Sequence, residues 1–135
     1  MANVEDVLAQ VPIFSMLKPK DLKSLTADAH DLTYPAGTTL ADTDELGSTF
    51  FVVVEGTLRV LVDGKQVRSI GPGDFFGEMA LIDHEPRSAT IVTDTDVRCL
   101  VFSSWVFRPF ALKHSEVAWA LLEVMVARIR EAEKR

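Results

Sequence analysis

Glu78 and Arg87 carry the most suggestive chemistry in this chain. They lie in the stretch GPGDFFGEMALIDHEPRSAT, residues 71–90. Glu78 offers a carboxylate that accepts hydrogen bonds from hydroxyls. Arg87 offers a permanent cation whose planar fork presents five donors. Gly71, Pro72 and Gly73 make a turn ahead of them. Gly77 sits inside an apolar run where no hairpin is needed, so a close approach of its backbone to a ligand is expected. A glycine-borne path can also aim consecutive N–H groups at an anion, as a helix N-terminus does through its dipole. Together these residues suit a pocket for a small phosphorylated sugar. The same carboxylate and guanidinium would equally serve as a structural ion pair, and charge chemistry alone leaves both readings open.

Other reactive side chains form weaker patterns. His30, His84 and His114 are scattered without paired ligand spacing, so no metal site is expected. Ser115 beside His114 and Glu116 reads as a helix cap, since a catalytic triad is defined by geometry and not by adjacency. Cys99 falls in mid-strand and reads as a small core residue.

The whole chain limits the partners. It has 135 residues, a hydrophobic content of 47% and a formal net charge of -6, with a pI near 5.0. One domain with a substantial core follows. The acidic balance argues against nucleic acid, whose binding surfaces are basic. A single cysteine excludes an internal disulfide, and the N-terminus shows no secretory pattern, so the cytoplasm is the expected compartment. No apolar run reaches the roughly 20 residues that span a bilayer, so no membrane contact is expected.

The elements that must position the stretch follow from periodicity. Val4, Val7, Leu8 and Val11 recur at helical spacing up to Pro12. Pro19 suits the first turn of a second helix carrying Leu22, Leu25 and Ala29 on one stripe. From His30 the pattern alternates. Strands are expected over residues 30–34, 39–41, 49–54, 57–62 and 65–70, then 87–93 and 97–102. Asp63-Gly64 marks a tight hairpin, and Leu58, Val60 and Val62 share one face of their strand. Ser103 or Ser104 opens a short helix that Pro109 interrupts. Ser115 caps a final helix about 30 Å long, apolar almost all round as far as Ile129. Such a helix covers the sheet on one side and needs a partner on another, most simply a second copy of itself.

On these residues the chain resembles the cyclic nucleotide-binding domain. That family includes catabolite-activator-type regulators, the regulatory subunits of cyclic-AMP-dependent protein kinase and cyclic-nucleotide-gated channels. Ile13-Phe14 with Leu22 and Leu25 resemble its N-terminal helices. Pro35-Ala36-Gly37, Val54-Glu55-Gly56 and Gly71-Pro72-Gly73-Asp74 resemble its turns. Phe75-Phe76-Gly77-Glu78-Met79-Ala80-Leu81, followed by Pro86-Arg87-Ser88-Ala89-Thr90, resembles its phosphate-binding cassette, and this pairing of motifs is specific.

The resemblance implies a mainly β fold with flanking helices: an antiparallel, jelly-roll-like β-roll. N-terminal helices would occupy residues 1–29 and the roll 30–102, with the cassette and its short helix at 71–90. A hinge and a long C-terminal helix would fill 103–135. It implies that Arg87 binds the exocyclic oxygens of a cyclic phosphate and Glu78 the ribose 2′-hydroxyl. Gly77, Met79, Ala80 and Ala89 would contribute backbone contacts and Ser88 a hydroxyl. The expected function is a non-catalytic sensor of a 3′,5′-cyclic nucleotide, cAMP ahead of cGMP, whose C-terminal helix rearranges on binding. A homodimer through that helix, or an effector protein, is the expected partner. With no helix-turn-helix in the chain, a stand-alone domain without a DNA-binding part, or one excised from a longer protein, is expected. The alternative is a degenerate domain that keeps the fold as a dimerisation or protein-interaction module. Residues 116–135 carry no Ser or Thr to read the base, which leaves Glu123, Arg128 and Arg130 as candidates on the last helix.

Overall fold

A computed structural model describes residues 4–41, 49–77 and 89–134. The chain opens with α1 (Val4–Gln10), a 3-10 turn (Pro12–Phe14) and α2 (Pro19–Ala27). Pro19 takes the first helical position, where a missing N–H costs nothing. Among the described residues eight strands follow: β1 (His30–Tyr34), β2 (Thr39–Ala41), β3 (Thr49–Glu55), β4 (Leu58–Val62), β5 (Lys65–Ile70), β6 (Phe75–Phe76), β7 (Thr90–Thr93) and β8 (Val97–Ser103). Two helices close the chain, α3 (Ser104–Lys113) and α4 (Ser115–Glu133).

The strands form two antiparallel sheets, β1-β8-β3-β6 and β2-β7-β4-β5. Asp63 and Gly64 both take positive φ, 53° and 76°, as the hairpin between β4 and β5 requires. In the first sheet β3 and β8 are buried on both faces, which explains the unbroken apolar run of β3, while the edge strand β1 is largely exposed. Phe51 and Val53 point into the roll, where they meet Leu58, Val60, Ile70, Phe76, Ile91, Cys99 and Val101. Phe50, Val52 and Val54 point the other way and join Leu8, Ile13, Phe14, Leu22, Leu25, Phe107, Val117 and Leu121 from the helices. The helices therefore cap one face of the first sheet and the second sheet caps the other.

Two expectations are corrected. Pro109 does not interrupt α3, which runs through it. The bond it cannot make would fall on the carbonyl of Trp105, in the first turn, beside a side chain that is itself exposed. Ser115 does not cap α4. His114 holds the cap position, its carbonyl accepting from Val117 N–H at 2.9 Å, and Ser115 is the first helical residue. Val62 lies on the same face of β4 as Leu58 and Val60 but is more exposed, at the strand's hairpin end.

Candidate functional site

The stretch read as the site is anchored on the two sheets. On its upstream side a turn spans Gly71 to Asp74, where Asp74 Oδ2 accepts from Gly71 N–H at 2.9 Å and Asp74 N–H donates to the Gly71 carbonyl at 3.0 Å. That turn is tied to β3 by Gly73 N–H on the Val53 carbonyl and Val53 N–H on the Asp74 carbonyl, both 2.9 Å. β6 then pairs with β3, Phe76 opposite Phe51 and Phe75 opposite Val52. On the downstream side Ala89 packs against the roll interior and leads into β7, whose Ile91 is buried there. β6 belongs to one sheet and β7 to the other, so the two anchors lie in different sheets.

The two phenylalanines of β6 lock opposite faces. Phe76 stacks on Phe51 inside the roll, centroids 4.6 Å apart and planes 8° from parallel. Phe75 stacks on Phe50 at 5.4 Å, on the helix side. Phe50 in turn stacks on Phe107 of α3 at 4.4 Å. An aromatic chain thus runs from the strand that leads into Gly77 to the helix that leads into α4. Gly77 itself has a φ of 92°, a left-handed conformation that side chains resist.

Of the predicted site residues, the structure places Gly77 at the end of β6 and Ala89 at the start of β7. Glu78, Met79, Ala80, Arg87 and Ser88 lie outside the described residues, as do the short helix expected in the cassette and the start of the strand expected at residue 87. Among the three base-side candidates on the last helix, the fold distinguishes two. Arg128 places its guanidinium 5.3 Å from the centre of the Phe75 ring. Glu123 lines a groove against Pro12 and Met16 instead. The spacing of α4 explains the first placement. Val117 and Leu121 form its buried stripe, and Arg128 continues the stripe two turns further on. The sequence carried this signal as a cation at the end of an apolar helical stripe.

Two polar features around the roll had no pattern in the sequence. Thr93 is buried, and its hydroxyl accepts from Thr38 N–H at 2.8 Å and donates to the Pro35 carbonyl at 2.8 Å, tying the β1–β2 turn to β7. Arg98 grips Asp31 through Nε at 3.0 Å and Nη2 at 2.7 Å, linking β8 to β1. Those hydrogen bonds, with the charge of Arg98, hold the Asp31 carboxyl below its ordinary value of 3.8. Inside the roll, burial pushes the Cys99 thiol up to about 12, so it is a neutral packing residue and not a nucleophile. Burial also raises the Tyr34 hydroxyl. Among the described residues no three metal-ligating side chains converge, and no helix is long and apolar enough to cross a membrane.

An antiparallel β-roll with helices packed on its outer face defines the class by fold: β-roll domains with flanking helices. Comparison with known proteins narrows it. The chain belongs to the cyclic nucleotide-binding domain family, whose profile matches residues 31–114. It is 38% identical over 112 residues to a cyclic nucleotide-gated potassium channel of Mesorhizobium japonicum, covering 83% of this chain and 31% of that protein. It is 40% identical over 97 residues to a cAMP-dependent protein kinase regulatory subunit of Aspergillus niger, covering 70% of this chain and 23% of that one. This chain thus spans about a third or less of either relative. Among solved structures, the catabolite activator protein of Thermus thermophilus superposes with a TM-score of 0.83 at 28% identity, covering 90% of this chain and 60% of that one. The family is a regulatory, ligand-binding one, and the β-roll with its long C-terminal helix is the fold expected from the sequence.

Proposed function

We propose that this domain is a sensor of a 3′,5′-cyclic nucleotide that binds between Gly77 and Ala89. Arg87 neutralises the cyclic phosphate, Glu78 accepts the ribose 2′-hydroxyl, and Gly77, Met79, Ala80, Ser88 and Ala89 supply the remaining contacts. The observation that carries this reading is the left-handed Gly77 at the end of β6, in a chain whose family profile spans the roll and the stretch together. A Cβ is absent where the backbone must come close to a sugar-phosphate.

Arg128 is the residue of α4 best placed to meet the base, because it already lies over Phe75, two positions before Gly77. A guanidinium offers a stacking face to any purine, so it discriminates weakly between adenine and guanine. We therefore place cAMP ahead of cGMP by a small margin, with the Aspergillus niger relative, by name cAMP-dependent, as further support. Output runs through the aromatic chain. A ligand that shifts Gly77 shifts Phe75, and with it Phe50, Phe107 and the α3–α4 hinge. The change in α4 is a population shift whose size is set by the ligand's difference in affinity for the two states. Trp119, Leu122, Val126 and Ile129 form an exposed stripe with alternating spacings of three and four, suited to pairing α4 with a second copy. The cytoplasm is the compartment in which such a ligand would be met.

Isothermal calorimetry with cAMP and with cGMP tests the reading. Saturable heat with at least one of them is expected. No heat from either at millimolar concentration would overturn it and favour the alternative, a dimerisation module that has lost its ligand.

A further inference from the structure

A groove of about 500 Å3 runs between the N-terminal 3-10 turn and α4. Pro12, Met16, Trp119 and Val124 give it an apolar lining, and Met16 and Trp119 remain 44% and 65% exposed. Glu116 and Glu123 also line it, and among the described residues no Lys or Arg does. The two carboxylates are seven residues apart, two helical turns or about 10.5 Å along one side of α4, with Trp119 between them. Among the described residues no ion pair engages Glu123. Glu116 has His114 Nδ1 at 3.5 Å, a charge partner only when that imidazole is protonated.

We propose that this groove docks an amphipathic helix of a partner protein, one that presents Lys or Arg at positions i and i+7 and large apolar side chains at i+3 and i+4. The spacing follows from the groove. A helix lying along α4 repeats at the same pitch, so cations seven residues apart meet Glu116 and Glu123 while the apolar pair covers Trp119 and Met16. Charge selects this occupant over a second copy of the chain. Symmetric self-docking on this face would set Glu116 and Glu123 against the same carboxylates, and like charges suppress a pairing. The groove shares Trp119 with the exposed stripe of α4, but Leu122, Val126 and Ile129 do not line it. The inference does not depend on the cyclic nucleotide reading.

The test uses the full chain and a fluorescein-labelled helical peptide with Lys at i and i+7 and Leu at i+3 and i+4, followed by fluorescence anisotropy. A control peptide carries Glu in place of both Lys. The Lys peptide is expected to bind and the Glu peptide to fail. Converting Glu116→Gln and Glu123→Gln together is expected to weaken the Lys peptide roughly threefold to tenfold, as is 0.5 M salt, in keeping with two exposed ion pairs. Trp119→Ala is expected to weaken it as well, and an exposed side chain can be removed without unfolding the domain. Equal binding of both peptides, unchanged affinity of the double variant, or no binding at millimolar peptide would overturn the proposal. So would weaker self-association of the double variant in sedimentation, because the groove would then belong to an interface between copies.

Discussion

Single residues do separable jobs in this domain. Arg87 supplies the cation of the proposed site, and a hydrogen bond to a charged group contributes roughly 1.5–3 kcal/mol. Arg87→Gln should therefore weaken cyclic nucleotide binding at least about tenfold by calorimetry, while the thermal midpoint of the ligand-free domain moves little. Gly56 is constrained differently. Its φ is 95°, and a Cβ there would collide with the Asp96 carbonyl oxygen and press on Val97 and Thr95 at 2.9 and 3.0 Å. Sequence reading made Gly56 a simple turn former, but it also fills a close approach between the β3–β4 and β7–β8 turns. Gly64→Ala, where nothing lies within 4 Å, should cost only the left-handed strain of about 1–2 kcal/mol. Gly56→Ala should cost clearly more, because the nearest obstacle is backbone and cannot swing away. Urea midpoints of the two variants compare them directly.

Between elements, charge and apolar area act on different boundaries. Arg98 of β8 clamps Asp31 of β1 and holds its carboxyl below the ordinary value. A carboxylate depressed in the folded state adds stability above its unfolded pKa of about 4. That contribution is lost as pH falls through the lower folded value. The Asp31 side chain is 44% exposed, so the contribution should stay below about 1 kcal/mol. Asp31→Asn should thus be less stable than the parent at pH 7, with the difference shrinking as pH falls below about 4, read by denaturant titration across that range. The exposed stripe of α4 governs assembly instead. Leu122 is 55% exposed and outside the packed core, so Leu122→Glu should dissociate the expected dimer in sedimentation velocity without lowering the helical signal in circular dichroism. If Leu122→Glu leaves assembly unchanged, or the parent is a monomer at all concentrations, the pairing of α4 is wrong.

At the scale of the whole molecule, the first sheet is the mechanical centre. Its two faces carry separate cores, so Phe75 and Phe76 couple the start of the proposed ligand stretch to the helices and to the roll interior at once. A ligand held there binds only the folded chain. At one hundred times its Kd it should stabilise the domain by about 2.7 kcal/mol. The thermal midpoint should then rise by several degrees with the binding nucleotide and not with 5′-AMP. An unchanged midpoint at saturating cyclic nucleotide would show that binding does not favour the folded state described here.

The sequence by itself determined the β-roll class, the helices before and after it, and the Asp63-Gly64 hairpin. Each of these rests on local preference: strand alternation, proline at a helix start, or a backbone angle that glycine alone takes cheaply. Tertiary structure decided what depends on neighbours distant in the chain. Whether Gly56 is a free turn or a tight crossing depends on Asp96, and the partner of Asp31 is 67 residues away. Pro109 could stay inside α3 because the bond it forfeits falls in the exposed first turn. The fold also separated two charges on α4 that composition treats alike. Arg128 continues the buried stripe and reaches Phe75 near the proposed pocket, whereas Glu123, on another side of the same helix, faces the groove. Which side of a helix meets which core is fixed by packing, and no local pattern records it.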